Sequence, residues 1–316
     1  MADVLSLSAK PLSLTCGEML MGRRAARHCL VFLGATVAIM VTAVRTEAQE
    51  SGAFYEIETK YIFGFTIGSS VGLEGEKAFE PDSVAGLGKR TGTYAATETE
   101  LEYEFTPNQY MQIELGPTVS YYNISNVTGI NDRSMGSLNG FEADFRYLIL
   151  DRGTSPFAVT LAAEPEWHSR DETTGEKVVN YGVETRVEAD AELIKNRLFL
   201  GLNLLYEPET TRADLGAWDS ETTFGVSTAL AFQIIPKVVV GAEVWYLRHY
   251  EGAAFNTFTG DAVFAGPTFY WQISPKILMS AAWNAQIAGH ETGVAQALDL
   301  TDFSRQRARL LLEFEF

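Results

Sequence analysis

The chain has 316 residues, of which 41 are Asp or Glu and 24 are Lys or Arg, so its formal net charge is −17. Apolar residues make up 46% and aromatic residues 12% of the chain, which excludes a disordered protein. The acidic balance also excludes a general nucleic-acid binder, because phosphate contacts need a basic face.

The N-terminal region has the three-part layout of a secretory signal peptide. A basic segment precedes a 16-residue apolar run, Cys29 to Val44, and a short polar stretch follows that ends at Ala48. A membrane anchor is the alternative, but the run is shorter than the ~20 residues that a spanning helix needs. We therefore predict a cleaved signal peptide over residues 1–48.

Cleavage changes the composition of the mature chain. Met19 or Met21 is a plausible true start, and a single domain is predicted over residues 49–316. Both cysteines, Cys16 and Cys29, leave with the signal peptide. The mature domain therefore has no disulfide framework and no thiolate metal site, and its formal net charge becomes −19.

Beyond the signal peptide the sequence alternates with a period of two residues. The clearest case is the segment TETELEYEF, residues 97–105, in which every second residue is a glutamate. On a strand these glutamates share one face, whereas a helix would spread them around its axis. They cannot enter a dry core, so they face water while the Leu, Tyr and Phe side chains face an apolar medium.

Twelve segments share this alternation. They are 53–67, 93–105, 110–122, 139–150, 157–168, 179–191, 198–207, 221–234, 238–248, 261–273, 277–286 and 303–316. Short turns and long polar loops alternate between them, as an up-and-down outer-membrane barrel requires. A soluble sandwich or lipocalin-like barrel is the alternative, but it would not need twelve strands of ~10 residues. We predict an all-β fold, a closed antiparallel up-and-down transmembrane β-barrel of about 12 strands.

The C-terminal sequence LLLEFEF places Leu312, Phe314 and Phe316 at alternate positions. It resembles the terminal strand of Gram-negative outer-membrane β-barrels. That resemblance implies the cell outer membrane as location, outer-membrane lipid and lipopolysaccharide as surroundings, and these three residues as the signal that the assembly machinery reads. The length and strand layout also resemble uncharacterised outer-membrane transporters associated with aromatic (phenol) degradation pathways, and no functional residue follows from that second resemblance.

The alternation places an excess of acidic side chains in the barrel lumen. The main candidates lie on the first two predicted strands: Glu56, Glu58, Glu98, Glu100, Glu102 and Glu104. Fixed negative charge in a narrow lumen favours cations. We predict a passive narrow channel or transporter for small hydrophilic or cationic solutes. The alternative is a structural or adhesion barrel whose lumen is filled by paired charges.

A row of three arginines, Arg305, Arg307 and Arg309, lies on the last predicted strand. In a closed barrel the last strand pairs with the first, so this row is expected to reach Glu56 and Glu58, and beyond them the row from Glu98 to Glu104. Two interpretations remain open. The row forms either a transverse field at a constriction or a structural network that closes the barrel.

Three histidines, His168, His249 and His290, fall at the outer ends of predicted strands. A lipid-modifying enzyme is a further alternative, which needs a Ser or Thr beside one of them. Ser169 adjoins His168 but points to the opposite face, and no G-x-S-x-G motif occurs. We predict solvated rim histidines and no catalytic centre, cofactor or metal site.

Overall fold

The computed structural model describes residue 54, residues 56–213 and residues 216–316. These residues form twelve β-strands: β1 Lys77–Leu87, β2 Thr93–Asn108, β3 Met111–Ser125, β4 Arg133–Leu150, β5 Ala158–Arg170, β6 Lys177–Ile194, β7 Leu198–Ala213, β8 Asp219–Ile235, β9 Val238–Glu251, β10 Thr257–Ser274, β11 Ile277–Glu291 and β12 Gln306–Glu315. Within this part of the chain, no helix is long and apolar enough to cross a membrane. The predicted signal peptide, 1–48, lies outside the described residues.

The twelve strands close into a barrel. Each strand pairs antiparallel with its neighbours in sequence, and β1 pairs with β12 to complete the ring. In that last pair Asp82 lies opposite Leu311, and the backbone N–H of Phe316 donates to the carbonyl of Lys77 at 3.0 Å. Closure leaves no strand edge unpaired, which hydrocarbon demands because it offers backbone groups no hydrogen bonds. The predicted closed all-β barrel is confirmed.

Alternate residues on each strand point to opposite sides of the barrel wall. On β12, Leu310 and Phe314 are 47% and 38% exposed on the outside, whereas Leu311 and Glu313 are 1% and 9% exposed on the inside. The outer surface is thus apolar and the lumen carries the charged set. This arrangement inverts that of a soluble protein and matches a barrel surrounded by lipid.

The lengths of the connections orient the barrel. Turns of two residues, such as 236–237 and 275–276, lie at one end, and long connections such as 292–305 lie at the other. The start of β1 and Phe316 lie at the short-turn end. In outer-membrane barrels short turns are periplasmic and long loops are extracellular, so both ends of the barrel domain face the periplasm.

The first predicted strand, 53–67, is wrong. Residues 56–72 instead enter the lumen from the periplasmic end, and we call them the plug. The first strand is Lys77–Leu87, which lies in the predicted loop 68–92. The sequence of the plug alternates as a strand does, but barrel walls enclose this segment on every side. Phe63 is fully buried, like its neighbours, so the alternation here does not separate a lipid-facing side from a lumen-facing side. Pro81 inside β1 weakened the strand signal there.

Candidate functional site: an acidic vestibule above the plug

The plug is held by a lysine that lies among three glutamates of the barrel wall. The Nζ atom of Lys60 lies 2.7 Å from Glu104 on β2, 3.6 Å from Glu80 on β1, and in contact with Glu114 on β3. All four side chains are buried. A buried ammonium group is tolerable only with such partners, because removal from water costs it several kcal/mol.

The backbone of the plug has no strand partner, and wall side chains take over its hydrogen bonds. The carboxylate of Glu243 on β9 accepts from the N–H groups of Phe65 at 3.1 Å and Thr66 at 2.8 Å. Asp190 on β6 accepts from the N–H of Ser69 at 2.7 Å. These acceptors satisfy buried backbone donors that would otherwise oppose insertion of the plug.

Two arginines of the wall satisfy plug carbonyls. Arg146, 1% exposed on β4, donates to the carbonyl of Gly68 and to Glu188, both at 2.6 Å. Arg309 on β12 donates to the carbonyl of Gly64 at 2.7 Å. Strands from around the ring therefore bind one short segment, which makes the plug a fixed part of the lumen.

A cavity of about 400 Å³ lies between the plug and the extracellular loops, and we call it the vestibule. Lys60, Tyr61 and Phe65 of the plug lie at its floor. Thirteen carboxyl groups line it: Asp82, Glu98, Glu100, Glu102, Glu114, Glu142, Asp144, Glu164, Glu166, Glu172, Glu184, Glu207 and Asp302. Five basic side chains line it too: Lys60, Arg146, Arg186, Arg307 and Arg309. Carboxyl groups therefore exceed basic groups by eight.

The four glutamates predicted on the second strand all lie on the lumen side of β2, with different partners. Glu104 binds Lys60, and Glu98 lies 3.2 Å from the Nε2 atom of His168. Glu100 and Glu102 line the vestibule and form no salt bridge with another described residue. These two are thus the carboxyl groups of the row that face the cavity without a basic partner in the described part of the chain.

The three arginines predicted as a row have different surroundings. Arg309 donates to Asp82 at 2.8 Å across the β1–β12 junction, and Arg307 lines the vestibule with its guanidinium 4.8 Å from the ring centre of Phe65. Arg305 precedes β12 and is exposed. Of the three arginines in the predicted row, Arg307 and Arg309 line the vestibule and Arg305 does not.

Glu56 and Glu58 lie at the opposite end of the lumen from the arginines. They line a second cavity of about 70 Å³ near the periplasmic turn at Pro275. The predicted pairing of these glutamates with the arginine row is therefore wrong. The true first strand supplies Asp82 to Arg309 in their place.

One side of the lumen is apolar, which sequence reasoning missed. A buried cluster joins Phe65 of the plug to wall residues that include Leu205, Trp245 and Phe264, and Phe303 of the last extracellular loop packs against it. The prediction assumed a uniformly polar lumen. The available signal was the low charge of β7 to β11 at inward positions, where Trp245 shares the face of Glu243.

The prediction of a solvated rim residue is wrong for His168. This residue is 1% exposed and faces the lumen. Its Nε2 atom lies 2.8 Å from Glu142 on β4 and 3.2 Å from Glu98 on β2. His290 is exposed, as expected for the rim. His168 therefore lies within a ring of carboxylates in the outer part of the lumen.

His249 has a threonine beside it, the arrangement that the enzyme alternative requires. The Oγ1 atom of Thr259 lies 3.0 Å from the Nδ1 atom of His249, but this hydroxyl donates to Asp302, also at 3.0 Å. Glu221 lies 3.3 Å from the other ring nitrogen. Two carboxylates hold the imidazole as the cation, which cannot accept the hydroxyl proton as a general base. The geometry does not favour catalysis here.

The last extracellular loop, residues 292–305, folds into the outer mouth. Gln286 on β11 donates to the carbonyl of Asp299 at 2.8 Å, and Lys89 of the first loop donates to the carbonyl of Thr301 at 2.9 Å. Asp299 is fully buried, and burial raises the pKa of its carboxyl group to about 7. The loop therefore covers part of the vestibule.

We expect this loop to loosen as the pH rises. The pKa of Asp299 is higher in the folded loop than the unfolded value of 3.8, so the folded loop binds the proton more tightly. The stabilisation is complete below about pH 4 and is lost as the pH rises through about 7. Hydrogen exchange of residues 292–305, corrected for intrinsic rates, should be faster at pH 8 than at pH 5. Asp299→Asn should remove this difference, and an unchanged difference would contradict the assignment.

A closed barrel of twelve strands with an apolar outer surface and a charged lumen defines an outer-membrane β-barrel protein. The class agrees with the predicted location in the cell outer membrane. Within this class the chain belongs to the family described as "Family of unknown function (DUF6662)", whose model matches residues 55–316. No curated protein matches the sequence.

Comparison with solved structures finds similar outer-membrane proteins. The COG4313 outer-membrane channel from Pseudomonas putida F1 superposes with a TM-score of 0.55 at 10% identity, over 78% of this chain and 98% of that chain. The NanC porin gives 0.45 at 12% identity over 76% and 100% of the two chains. The TodX monoaromatic hydrocarbon channel, a deltaS2 mutant, gives 0.40 at 10% identity over 83% and 99%. At these identities the likeness concerns the fold alone.

Proposed function

We propose that the protein is a passive outer-membrane channel that admits small cationic solutes from outside and in which the plug limits passage to the periplasm. One observation carries this proposal: the carboxyl groups that line the vestibule exceed the basic groups by eight. Walls of low dielectric focus the field of such groups and raise the local concentration of cations. Rings of acidic side chains select cations in other channels by the same means.

The plug supports a second candidate, a structural barrel with a filled lumen. Its salt bridges and backbone hydrogen bonds join it to several strands, and such a network stabilises the barrel whether or not solute passes. The plug also separates the vestibule from the small periplasmic cavity. The two candidates differ in the conductance expected when the plug is removed.

The acidic wall can be tested through ion selectivity. In the double variant Glu100→Gln, Glu102→Gln we expect the cation-to-anion permeability ratio to fall roughly threefold or more, because the two carboxylates face the vestibule without a fixed counter-charge. The measurement is the reversal potential across a planar bilayer in a KCl gradient. The matched control is Asp132→Asn, Glu251→Gln, which removes two exposed charges that do not line the vestibule and should leave the ratio unchanged.

The outcomes separate the candidates. Anion preference in the wild type would overturn the acidic filter, and so would an equal ratio in the double variant. Silence of both the wild type and a plug-deleted chain would overturn the channel itself.

Arg307→Ala, alone and with Glu102→Ala, tests the predicted constriction. Unchanged conductance and selectivity in these variants would make Arg307 part of a structural network.

A further inference from the structure

The carboxylates around His168 belong to the acidic wall of the vestibule, but they converge on one ring in a way that attraction of cations does not require. Nε2 of the ring faces Glu142 at 2.8 Å and Glu98 at 3.2 Å, while Nδ1 lies 3.2 Å from Glu172 of the adjacent loop. The ring itself is 1% exposed. One imidazolium neutralises one carboxylate, and here three carboxylates surround it.

A fourth carboxylate, Glu166, completes the cluster. It lies two residues before His168 on β5 and shares its face. One oxygen of each of Glu142 and Glu166 and one ring nitrogen of His168 lie within 4.8 Å of one another. The Oε1 atom of Glu166 is buried and has no hydrogen-bond partner among the described residues. A buried acceptor without a donor is costly. This oxygen lies against Gly182 on β6, so a cation bound by Glu142 and His168 satisfies it only when the Glu166 side chain turns toward them.

Glycines on the neighbouring strands make room for this cluster. Gly140 on β4 pairs with His168, and Gly182 on β6 pairs with Glu166. A Cβ atom at position 140 would overlap the His168 ring, and one at position 182 would overlap the Glu166 carboxylate. His168 therefore lies over β4 and Glu166 lies over β6. Both positions are open because the facing strand has glycine at the paired residue.

Two neighbouring side chains that are not candidate metal ligands orient Glu98. Its Oε2 atom accepts from the Ser120 hydroxyl at 2.6 Å and from the Asn139 amide at 3.1 Å. Oε1 is left to face the histidine. Such supporting hydrogen bonds are typical of metal sites, where they fix the direction of the ligands.

We propose that His168, Glu98, Glu142 and Glu166 bind one divalent transition-metal ion, such as Zn²⁺, at the outer end of the lumen. One imidazole nitrogen with carboxylate oxygens is a donor set that suits such ions. Two ligands at about 2.1 Å from a tetrahedral ion lie roughly 3.4 Å apart, close to the 2.8 and 3.2 Å between Nε2 and the two glutamate oxygens. Metal binding displaces the ring proton from Nε2, and Glu172 then faces the protonated Nδ1 as in carboxylate–histidine–metal triads.

The site is independent of the proposed channel. The acidic vestibule attracts cations without fixed stoichiometry, whereas the His168 cluster holds one ion with defined ligands. A filled, non-conducting barrel would bind this ion equally well. Failure of one proposal therefore leaves the other standing.

Metal titration tests the site directly. The mature chain, folded in detergent without an oligohistidine tag and stripped with chelator, is titrated with ZnCl₂ by calorimetry and with CoCl₂ by visible absorption. We expect saturable binding of one ion. His168→Ala and Glu142→Gln should each weaken it by more than roughly 100-fold, because loss of a residue that merely supports a ligand already costs about 10- to 100-fold. The matched control is His290→Gln, which removes an exposed histidine and should leave affinity unchanged.

A second readout guards against variants that fail to fold. Folded barrels are first selected by their far-UV circular dichroism and by tryptophan fluorescence, and only these are titrated. The bound Co²⁺ spectrum should change when His168 is replaced, because a nitrogen ligand is lost. Absence of saturable Zn²⁺ and Co²⁺ binding to the wild type would overturn the proposal. Equal affinity and an equal Co²⁺ spectrum in folded His168→Ala would overturn it as well.

Discussion

Deletion of the plug, residues 56–72, is expected to raise the single-channel conductance roughly tenfold, since a ring of twelve strands is wider than the small barrels that side chains alone can fill. The plug forms the floor of the vestibule and separates it from the periplasmic cavity. Its removal joins the two cavities into one path. The measurement is conductance in planar bilayers, with the signal-cleaved wild type under identical salt.

The deleted barrel offers its own control. A synthetic peptide of residues 56–72, added from the periplasmic side, should restore low conductance. The same peptide with Lys60 replaced by Met should do so poorly, because Glu104 and Glu114 lose their partner. Conductance that is equal with and without the plug would show that the plug does not limit passage. A silent deleted barrel that retains its strand content would favour the structural candidate.

The barrel itself was predictable from sequence because odd and even residues of a strand face opposite sides of the wall. One side meets lipid and is apolar, and the other side meets the lumen and is polar. Glu102 and Tyr103 illustrate this, with side chains 4% and 38% exposed on opposite sides of β2. Eleven of the predicted segments correspond to β2 through β12 of the described structure. Period-two alternation is a local property, so one sequence suffices to read it.

The plug was not predictable, because its environment is set by residues distant in sequence. Lys60 alternates with apolar neighbours as a strand residue does, and its partner Glu114 lies 54 positions away on β3. Parity reports only which face a side chain occupies. It cannot distinguish a strand in a wall from a segment enclosed by that wall.

The candidate site was likewise predictable only in part. The sequence predicts the acidic face of β2, but it does not predict the burial of His168, which lies near the end of β5. Its burial depends on Glu98 and Glu142 from two other strands and on the missing side chain at Gly140. Such convergence depends on register between strands, which hydrophobic pattern alone does not set at polar positions.

Replacement of Lys60 by Met is expected to lower the free energy of unfolding by about 3–5 kcal/mol, the usual cost of removing one partner from a buried ion pair. The side chains of Lys60, Glu80, Glu104 and Glu114 are 0–6% exposed, so water cannot screen the carboxylates that remain. Met is unbranched and one atom shorter than Lys, so the replacement keeps most of the side-chain volume and removes the ammonium group with its hydrogen bonds. The measurement is urea unfolding in lipid vesicles with linear extrapolation.

Two further variants separate charge from shape. Lys77→Met removes an exposed lysine at the start of β1 and should change stability by less than about 0.5 kcal/mol. The triple variant Lys60→Met, Glu104→Gln, Glu114→Gln should recover most of the loss, because neutral groups are cheaper to bury than unpaired charges. If Lys60→Met costs no more than Lys77→Met, the salt bridges do not hold the plug. If the triple variant stays as unstable as Lys60→Met, the loss comes from altered hydrogen bonding and packing rather than from uncompensated charge.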